Sequence, residues 1–430
     1  MKKISETLLP GITLHYVPVD KFTSNYFSVH FVTPLAKETV SLYSLLSKML
    51  TNGCASYPDK ECFSKRLLDL YAAVFSSSVT KIGEEEALSL SISTLDDRFS
   101  YDGTAISEES VALLREVILH PVTEKGCFPS DVVEREKKVL IDEINAAINN
   151  KNTYAIKRCR EIMCEGELYS LSVDGDPADV RAASASDVYR AYTDLLKNAR
   201  VEMIYVGREP IETVKERAEE LAFALGKREY KPFVFDTKKK AVAKNVEETV
   251  SAVQGKLAMG FRIDCDLTNE NLDALRLFNL IYGASPVAKL FMNVREKLSL
   301  CYYCASRFDA VKGVLFVYSG VENDKMAVAE QEILRQLDNV KTGKITEEEL
   351  LCAKKTFRDV SKSITDSAAA MERWVLDKAV SGEDRLPGEV CAVVEALTVE
   401  DVARVASSIH LDTVFRLVGK AKEENDDVQE

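Results

Sequence analysis

The chain has 430 residues, of which 46% are hydrophobic and 29% are charged, and its net charge is −13. This composition is typical of a water-soluble globular protein, and the length predicts two large domains or several small ones. The negative charge, without a marked Lys/Arg cluster, argues against nucleic-acid binding. The sequence has no apolar run of the roughly 18 residues that a membrane span needs. Because its first residues also lack the apolar centre of a signal peptide, we expect a cytoplasmic location.

Both halves of the chain predict the same series of elements. The first half predicts strands and helices in the order 26–32 (strand), 108–119 (helix), a helix from Ser130, a helix from Ser184 and 203–207 (strand). The second half repeats this series as 256–262 (strand), 326–337 (helix), a helix from Thr346, a helix from Thr398 and 415–419 (strand). The strands alternate in polarity or are short apolar runs, and the helices carry N-cap residues.

A short motif supports an internal duplication. Ser184 and Thr398 each begin the pattern S/T-x-x-D-V-x-R, roughly half the chain apart, and a strand ending in Val-Gly follows each copy. Matched order over long segments is the usual sign of a repeat. We therefore predict an N-terminal half at residues 1–225, a linker at 226–248 and a C-terminal half at 249–430. The predicted fold class is α+β, with two similar halves around a cleft.

The order of the halves and one sequence frame resemble a known family. The frame consists of Met49-Leu50, Gly53 and Tyr57-Pro58. These residues and the tandem halves resemble the pitrilysin/insulinase family of metallopeptidases, which includes the mitochondrial processing peptidases. The resemblance covers nearly the whole chain, and it implies that each half is an α/β roll.

The positions of the family's zinc motif can be aligned with this sequence, but the residues at those positions differ from the motif. Active members carry H-x-x-E-H on the first long helix, where two histidines one turn apart bind Zn²⁺ and the glutamate activates water. On that frame the ligand positions are Ser44 and Lys48, and the base position is Ser47. Glu143 aligns with the third ligand, but one carboxylate does not hold zinc alone, and it is equally well a solvated helix residue. We therefore predict no metal and no cofactor in this chain.

A second family motif is better preserved. Residues 295–302 read R-E-K-L-S-L-C-Y and closely resemble the signature R-E-x-x-G-L-x-Y of the C-terminal half. By this resemblance Arg295 would hold a substrate carbonyl, and Tyr302 would donate a hydrogen bond to the developing oxyanion. The pair meets only if Arg295 ends a helix and Tyr302 begins a strand. Ser299 replaces the family's glycine, and Tyr303 would take the role if the register slips by one residue.

The resemblance implies one main function and one alternative. In some bacterial members one chain carries H-x-x-E-H and the other carries only the Arg and Tyr. We therefore expect this chain to be the zinc-less subunit of a heterodimeric peptidase that acts on peptides, with zinc in an H-x-x-E-H-bearing homologous partner. The alternative is a non-catalytic structural or peptide-binding homologue. The chain could also form a homodimer in isolation.

A third possibility is a thiol enzyme that uses Cys301 and Cys304. A redox C-x-x-C normally begins a helix, where the thiol pKa is lowered. Here the pair falls in a predicted strand, in which residues three apart point to opposite faces. We therefore expect two buried structural cysteines.

Overall fold

The computed structural model describes residues 3–228, 243–251 and 254–420. By internal contacts these residues divide into two compact units. Unit 1 contains residues 3–146, 171–228 and 362–387, and unit 2 contains residues 147–170, 243–251, 254–361 and 388–420. Each unit has one β-sheet covered by helices, which confirms the α+β prediction. The part of the chain that the structure describes contains no helix long and apolar enough to cross a membrane.

The strands are numbered in chain order. They are β1 (Ile4–Leu9), β2 (Ile12–Pro18), β3 (Ser24–Pro34), β4 (Val74–Ile82), β5 (Glu85–Leu95), β6 (Arg200–Gly207), β7 (Lys244–Ser251), β8 (Gly255–Ile263), β9 (Cys301–Asp309), β10 (Val314–Val321) and β11 (Ile409–Lys420).

The helices connect and cover these strands. They are α1 (Lys37–Met49), α2 (Lys60–Asp69), α3 (Ile106–Leu119), α4 (Ser130–Asn149), α5 (Lys151–Met163), α6 (Pro177–Ala182), α7 (Ala185–Asn198), α8 (Ile211–Leu225), α9 (Asn269–Asn279), α10 (Met326–Lys341), α11 (Glu347–Thr365), α12 (Ala368–Ser381), α13 (Pro387–Ala396) and α14 (Val399–Ala406). Two helical segments with wider, π-type turns, Leu280–Ala284 and Leu290–Lys297, follow α9.

The two sheets have the same topology. Sheet 1 has the order β1-β2-β6-β3-β5-β4, and sheet 2 has the order β7-β11-β8-β10-β9. In each sheet one neighbouring pair is parallel, β2 with β6 and β7 with β11, and the other pairs are antiparallel. Sheet 1 differs only by the added edge strand β1. The helices at Ser184 and Thr398 both begin with a capping box, so the two copies of the motif have the same local structure.

Each sheet is packed by one helix from the opposite half of the sequence. Helix α5 packs on β8, β10 and β11 of sheet 2, and α12 packs on β3 and β6 of sheet 1. The division into 1–225, 226–248 and 249–430 describes the order of the repeats along the chain, and it stays a prediction. The predicted linker falls largely on 229–242, outside the described residues, and its last residues from Lys244 belong to β7 instead.

Buried polar contacts fix the position of α12. In unit 1 the Nε2 atom of His30 lies 2.6 Å from the Glu372 carboxylate, which also accepts a hydrogen bond from Ser28 at 2.9 Å. The other ring nitrogen of His30 contacts the Ser89 hydroxyl at 2.7 Å. Because buried polar groups are costly without partners, these bonds specify where α12 docks on sheet 1.

Unit 2 has an equivalent network beside α5. Arg262 of β8 pairs with Glu167 at 2.6 Å and with Asp412 at 2.8 Å. Lys312, which is fully buried, also contacts Glu167 at 2.9 Å. Glu167 follows α5 in the chain, so this buried cluster ties the α5 segment to sheet 2. Removing one partner would leave buried charge uncompensated.

Candidate functional site

Helix α1 keeps the shape of a zinc-binding helix because its apolar side is part of the core. Leu45 and Leu46 are fully buried with Leu114 of α3 and Leu90 of β5 in the hydrophobic core of unit 1. The helix is therefore held by packing that does not depend on a metal. What has changed is the set of polar side chains on the helix.

A lysine ammonium pairs with Glu143, the residue that aligns with the third zinc ligand of the family. The Nζ atom of Lys48 lies 2.7 Å from Oε1 and 2.6 Å from Oε2 of Glu143 on α4. The structure thus brings together two of the predicted motif positions as an ion pair. Both side chains are partly exposed, so the pair contributes only about 0.2–1 kcal/mol to stability. The pair nevertheless neutralises the carboxylate that would be the third zinc ligand.

The two serines of the motif make no ligand set. The Ser47 hydroxyl donates to the backbone carbonyl of Ser44 at 2.8 Å, so it is used within its own helix. Ser44 is buried one turn before Lys48. Neutral hydroxyls and an ammonium are poor partners for Zn²⁺, which takes thiolate, imidazole and carboxylate ligands. Ser44, Ser47, Lys48 and Glu143 therefore do not fit a zinc ion.

The histidines do not form a replacement site. His15 pairs with Glu202 at 2.9 Å, and His30 pairs with Glu372. Across residues 3–228, 243–251 and 254–420, no group of three or more His, Cys, Asp or Glu side chains is arranged to hold a metal ion.

Gly53 of the family frame has a structural role, because it makes a tight turn in the backbone. Gly53 has φ of +129°, and a Cβ atom there would lie 2.2 Å from the Tyr57 carbonyl oxygen. Cys54 and Tyr57 form an antiparallel bridge immediately after it. Only glycine fits this tight turn, so Gly53 is required by the backbone path whether or not zinc ligands are present.

The second motif lies at a junction between a helix and a strand. The helical segment Leu290–Lys297 ends just after Arg295, and β9 begins at Cys301. Between them Ser299 adopts φ of +49°, and its amide donates to the Arg295 carbonyl at 3.0 Å. This turn is the change from helix to strand that is expected if Arg295 and Tyr302 are to meet. It also explains why the family has glycine here, since a left-handed backbone disfavours a Cβ atom.

Arg295 and Tyr302 line one cavity in unit 2. The cavity has a volume of about 350 Å³ and is lined by Arg295, Glu296, Ser299, Leu300, Cys301, Tyr302 and Glu322. The Arg295 guanidinium lies over the Phe291 ring at 4.6 Å, and its closest carboxylate contact is Glu296 at 3.5 Å. Tyr302 is 71% exposed, and its hydroxyl makes no hydrogen bond to the described part of the chain. Both groups are thus available to an incoming ligand.

Tyr303 differs sharply from its neighbour. Its hydroxyl bonds to Asn152, and burial raises the pKa of the phenol above its usual value. A Cβ atom on Gly320 would lie 2.7 Å from its ring, so Tyr303 packs tightly across the strands. Of the two tyrosines considered from the sequence, Tyr302 is the one whose hydroxyl is free.

The prediction that Cys301 and Cys304 face opposite sides of the strand is wrong. Cys304 pairs with Ser319 of β10, whereas Cys301 pairs with Val321, so the two residues between the cysteines lie opposite one residue of β10. Residues two apart in a strand share a face, and their partners therefore share one too. This β-bulge places both thiols on the same side of the sheet. Gly320, opposite the bulge, is the one sequence signal that could have indicated it.

Comparisons with known proteins show which proteins the chain resembles. Residues 182–357 match the family model described as "Peptidase M16 inactive domain". A protein of Bacillus subtilis (strain 168) named "Probable inactive metalloprotease YmfF" is 28% identical over 415 residues, covering 95% of this chain and 96% of its own.

Solved structures share the fold along the whole chain. A conserved protein from Enterococcus faecalis V583 superposes with a TM-score of 0.90 at 27% identity, covering 99% of this chain and 100% of its own. A peptidase M16 inactive domain from Pseudomonas fluorescens gives a TM-score of 0.81 at 16% identity, covering 98% of this chain and 99% of its own. With its zinc-motif positions replaced, the chain is similar over nearly its whole length to a protein named as an inactive metalloprotease, and its central part matches the M16 inactive-domain model.

Proposed function

We propose that this chain is the zinc-less subunit of a two-chain peptidase, in which it supplies Arg295 and Tyr302 to the zinc site of a homologous, H-x-x-E-H-bearing partner. The observation that carries the proposal is the asymmetry between the two motifs. The zinc positions are occupied by an internal ion pair, whereas Arg295 and Tyr302 lie in one cavity, with the Tyr302 hydroxyl unpaired among the described residues.

The chemistry of the two groups suits peptide cleavage. Arg295 is a permanent cation with several donors, so it can hold a peptide carbonyl of the substrate. Tyr302 can donate one directional hydrogen bond to the oxyanion that forms when the scissile carbonyl is attacked. In this proposal the partner supplies the zinc, the zinc-bound water and the general base. No disulfide bond links the cysteines in the described part of the chain, which is compatible with the proposed cytoplasmic location.

Co-expression with an H-x-x-E-H-bearing homologue from the same organism tests the proposal. We expect zinc-dependent cleavage of a peptide library by the pair and by neither chain alone. Tyr302→Phe should lower kcat by about 10²–10³, the usual loss for one oxyanion donor, and Arg295→Ala should lower kcat/KM because the substrate carbonyl loses its partner. Association of the two chains, measured by analytical ultracentrifugation, should be unchanged by either substitution.

Tyr303→Phe is the matched control. It removes a hydroxyl from the adjacent residue, but that hydroxyl bonds to Asn152 and not to the cavity. The pair carrying this variant should retain nearly full activity. If Arg295→Ala and Tyr302→Phe leave the activity of the pair intact, the catalytic role is excluded and the structural or peptide-binding homologue is the correct alternative.

A further inference from the structure

The cavity beside Arg295 contains a second chemical feature, a pair of thiols. Cys301 is partly exposed and is one of the residues that line the cavity, whereas Cys304 is buried behind it at 3% exposure. The β-bulge places both on the same face of β9, so the two side chains are neighbours. The Cys301 thiol can therefore be reached from the cavity, whereas the Cys304 thiol is shielded from solvent.

The surroundings of Cys301 favour its thiolate. The neighbouring Cys304 thiol, together with the charge of Arg295, outweighs burial and lowers the pKa of the Cys301 thiol to about 7. The interaction with Cys301, together with burial, raises the pKa of Cys304 well above its usual value. A low-pKa, accessible thiol beside a protonated, buried one is the arrangement of an attacking and a resolving cysteine.

We propose that Cys301 and Cys304 form a peroxide-sensitive dithiol in the wall of the Arg295–Tyr302 cavity. The Cys301 sulfur attacks a hydroperoxide, so that an S–O bond forms, the O–O bond breaks and the alkoxide or hydroxide released takes a proton. Cys301 is then a sulfenic acid, oxidised by two electrons that the hydroperoxide has gained. The Cys304 sulfur attacks it, the S–S bond forms, and the sulfenic oxygen leaves as water with the Cys304 proton.

Closing the disulfide would change the cavity. The two residues between the cysteines are Tyr302 and Tyr303, so a bond between Cys301 and Cys304 closes a small ring that contains both. A ring of this size constrains the backbone of the bulge, because disulfides require their Cα atoms to be close. Oxidation is therefore expected to move Tyr302. This inference concerns the isolated chain and does not depend on the proposed peptidase role.

Alkylation rates test the reactivity of Cys301 against an internal reference. Cys62 is more exposed, but its hydrogen bond with Asp59 raises the pKa of its thiol. With the full-length, reduced protein at pH 7 and iodoacetamide as the probe, peptide mass spectrometry should show Cys301 reacting roughly five-fold faster or more, since the thiolate is the nucleophile. Equal or slower reaction of Cys301 would overturn the proposal.

Oxidation products test the pairing. Brief treatment with hydrogen peroxide should give a Cys301–Cys304 disulfide that dithiothreitol reverses, while Cys62 stays reduced. In Cys304→Ala the sulfenic acid at Cys301 should persist and be captured by dimedone, whereas the wild type should yield little adduct. If the wild type accumulates sulfenic or sulfinic acid at Cys301 without a disulfide, Cys304 does not resolve it and the proposal fails. The wild-type measurement decides this even if Cys304→Ala does not fold.

Discussion

Ser299, in the turn between Arg295 and Tyr302, has an unfavourable backbone conformation. Its φ of +49° lies in the left-handed region, where a Cβ atom costs roughly 1–2 kcal/mol. The family's glycine avoids this cost, although glycine loses more conformational entropy on folding. The serine is therefore a strained residue beside the Arg295–Tyr302 cavity.

Ser299→Gly should raise the free energy of unfolding by about 0.5–1 kcal/mol, because the relief of strain exceeds the added entropy of glycine. Ser299→Ala is the control, since it removes the hydroxyl but keeps the Cβ atom, and it should give no gain. Urea unfolding followed by circular dichroism measures both. A glycine variant no more stable than the alanine variant would show that the turn is unstrained.

The buried carboxyl of Glu86 should make the stability of the folded chain depend on pH. This residue of β5 is 1% exposed, and burial raises the pKa of its carboxyl to about 8, against the opposing charge of Lys81. Between about pH 4.5 and pH 8 the folded chain keeps a proton that the unfolded chain has released. Stability must therefore fall as the pH rises through this window, by at most about 1.4 kcal/mol per unit, and must not fall further from this source above pH 8.

Glu86→Gln should remove that fall, because an amide does not ionise. The unfolding free energies of the two proteins should thus diverge from pH 5 to pH 8, with the variant the more stable. The control is Glu38→Gln on the exposed first turn of α1, which should keep the wild-type slope. Parallel slopes for Glu86→Gln and the wild type would mean that Glu86 is ionised in the folded protein.

At the scale of elements, α1 and α4 bring the aligned zinc-motif positions Lys48 and Glu143 into contact. The Lys48–Glu143 contact shows that the side chains at these positions meet. The triple variant Ser44→His, Ser47→Glu, Lys48→His restores H-x-x-E-H one turn apart on α1, with Glu143 as the third ligand. We expect it to bind one Zn²⁺ per chain.

Metal analysis after dialysis measures this, with the wild type as the zero reference. Adding Glu143→Gln to the triple variant is the control, and it should weaken zinc binding strongly because a neutral amide replaces the carboxylate. If the triple variant folds but binds no zinc, or binds it equally well without Glu143, then α1 and α4 are not held in a metal-binding arrangement.

The sequence predicts the regular elements better than the irregular ones. The helices at Ser184 and Thr398 follow from N-cap chemistry, and the strands around 26–32 and 256–262 follow from polarity. The turn between Arg295 and Tyr302 is predicted only by the resemblance to the family signature R-E-x-x-G-L-x-Y. The β-bulge at Cys301 was missed, because two-residue alternation assumes an unbroken ladder and the bulge depends on a partner strand.

The sequence also does not predict that α5 packs on sheet 2 and that α12 packs on sheet 1. Amphipathic periodicity shows that a helix buries one face, but it does not say which sheet receives that face. The buried contact of Glu372 with His30 joins residues far apart in the chain, and neither position carries a sequence signal for the other. The predicted boundaries at 225 and 249 follow the repeat, whereas the compact units follow these long-range contacts.

At the scale of the whole molecule, neither half of the sequence contains everything that its sheet needs. Fragment 1–225 lacks α12, so Ser28 and His30 would lose the Glu372 carboxylate. Fragment 249–430 lacks α5, so the sheet 2 face beneath it would be uncovered. Exposed apolar sheet and unpaired buried polar groups both favour aggregation.

Expressed separately, the fragments 1–225 and 249–430 should be insoluble or unfold without cooperativity. Expressed together they should co-purify as one particle, which size-exclusion chromatography and thermal unfolding would detect. Cooperative unfolding of fragment 1–225 alone would contradict the expectation and show that α12 is dispensable. A fragment pair carrying Glu372→Ala is the control, and it should associate more weakly than the wild-type pair.

The path of the chain has a consequence for proteolysis. The backbone passes between unit 1 and unit 2 five times. After a single cleavage at any of these crossings, at least one unit still has segments on both sides of the cut, so the packing of that unit holds the two fragments together. Nicked protein should run as two bands on a denaturing gel while it keeps the sedimentation coefficient of the uncut chain.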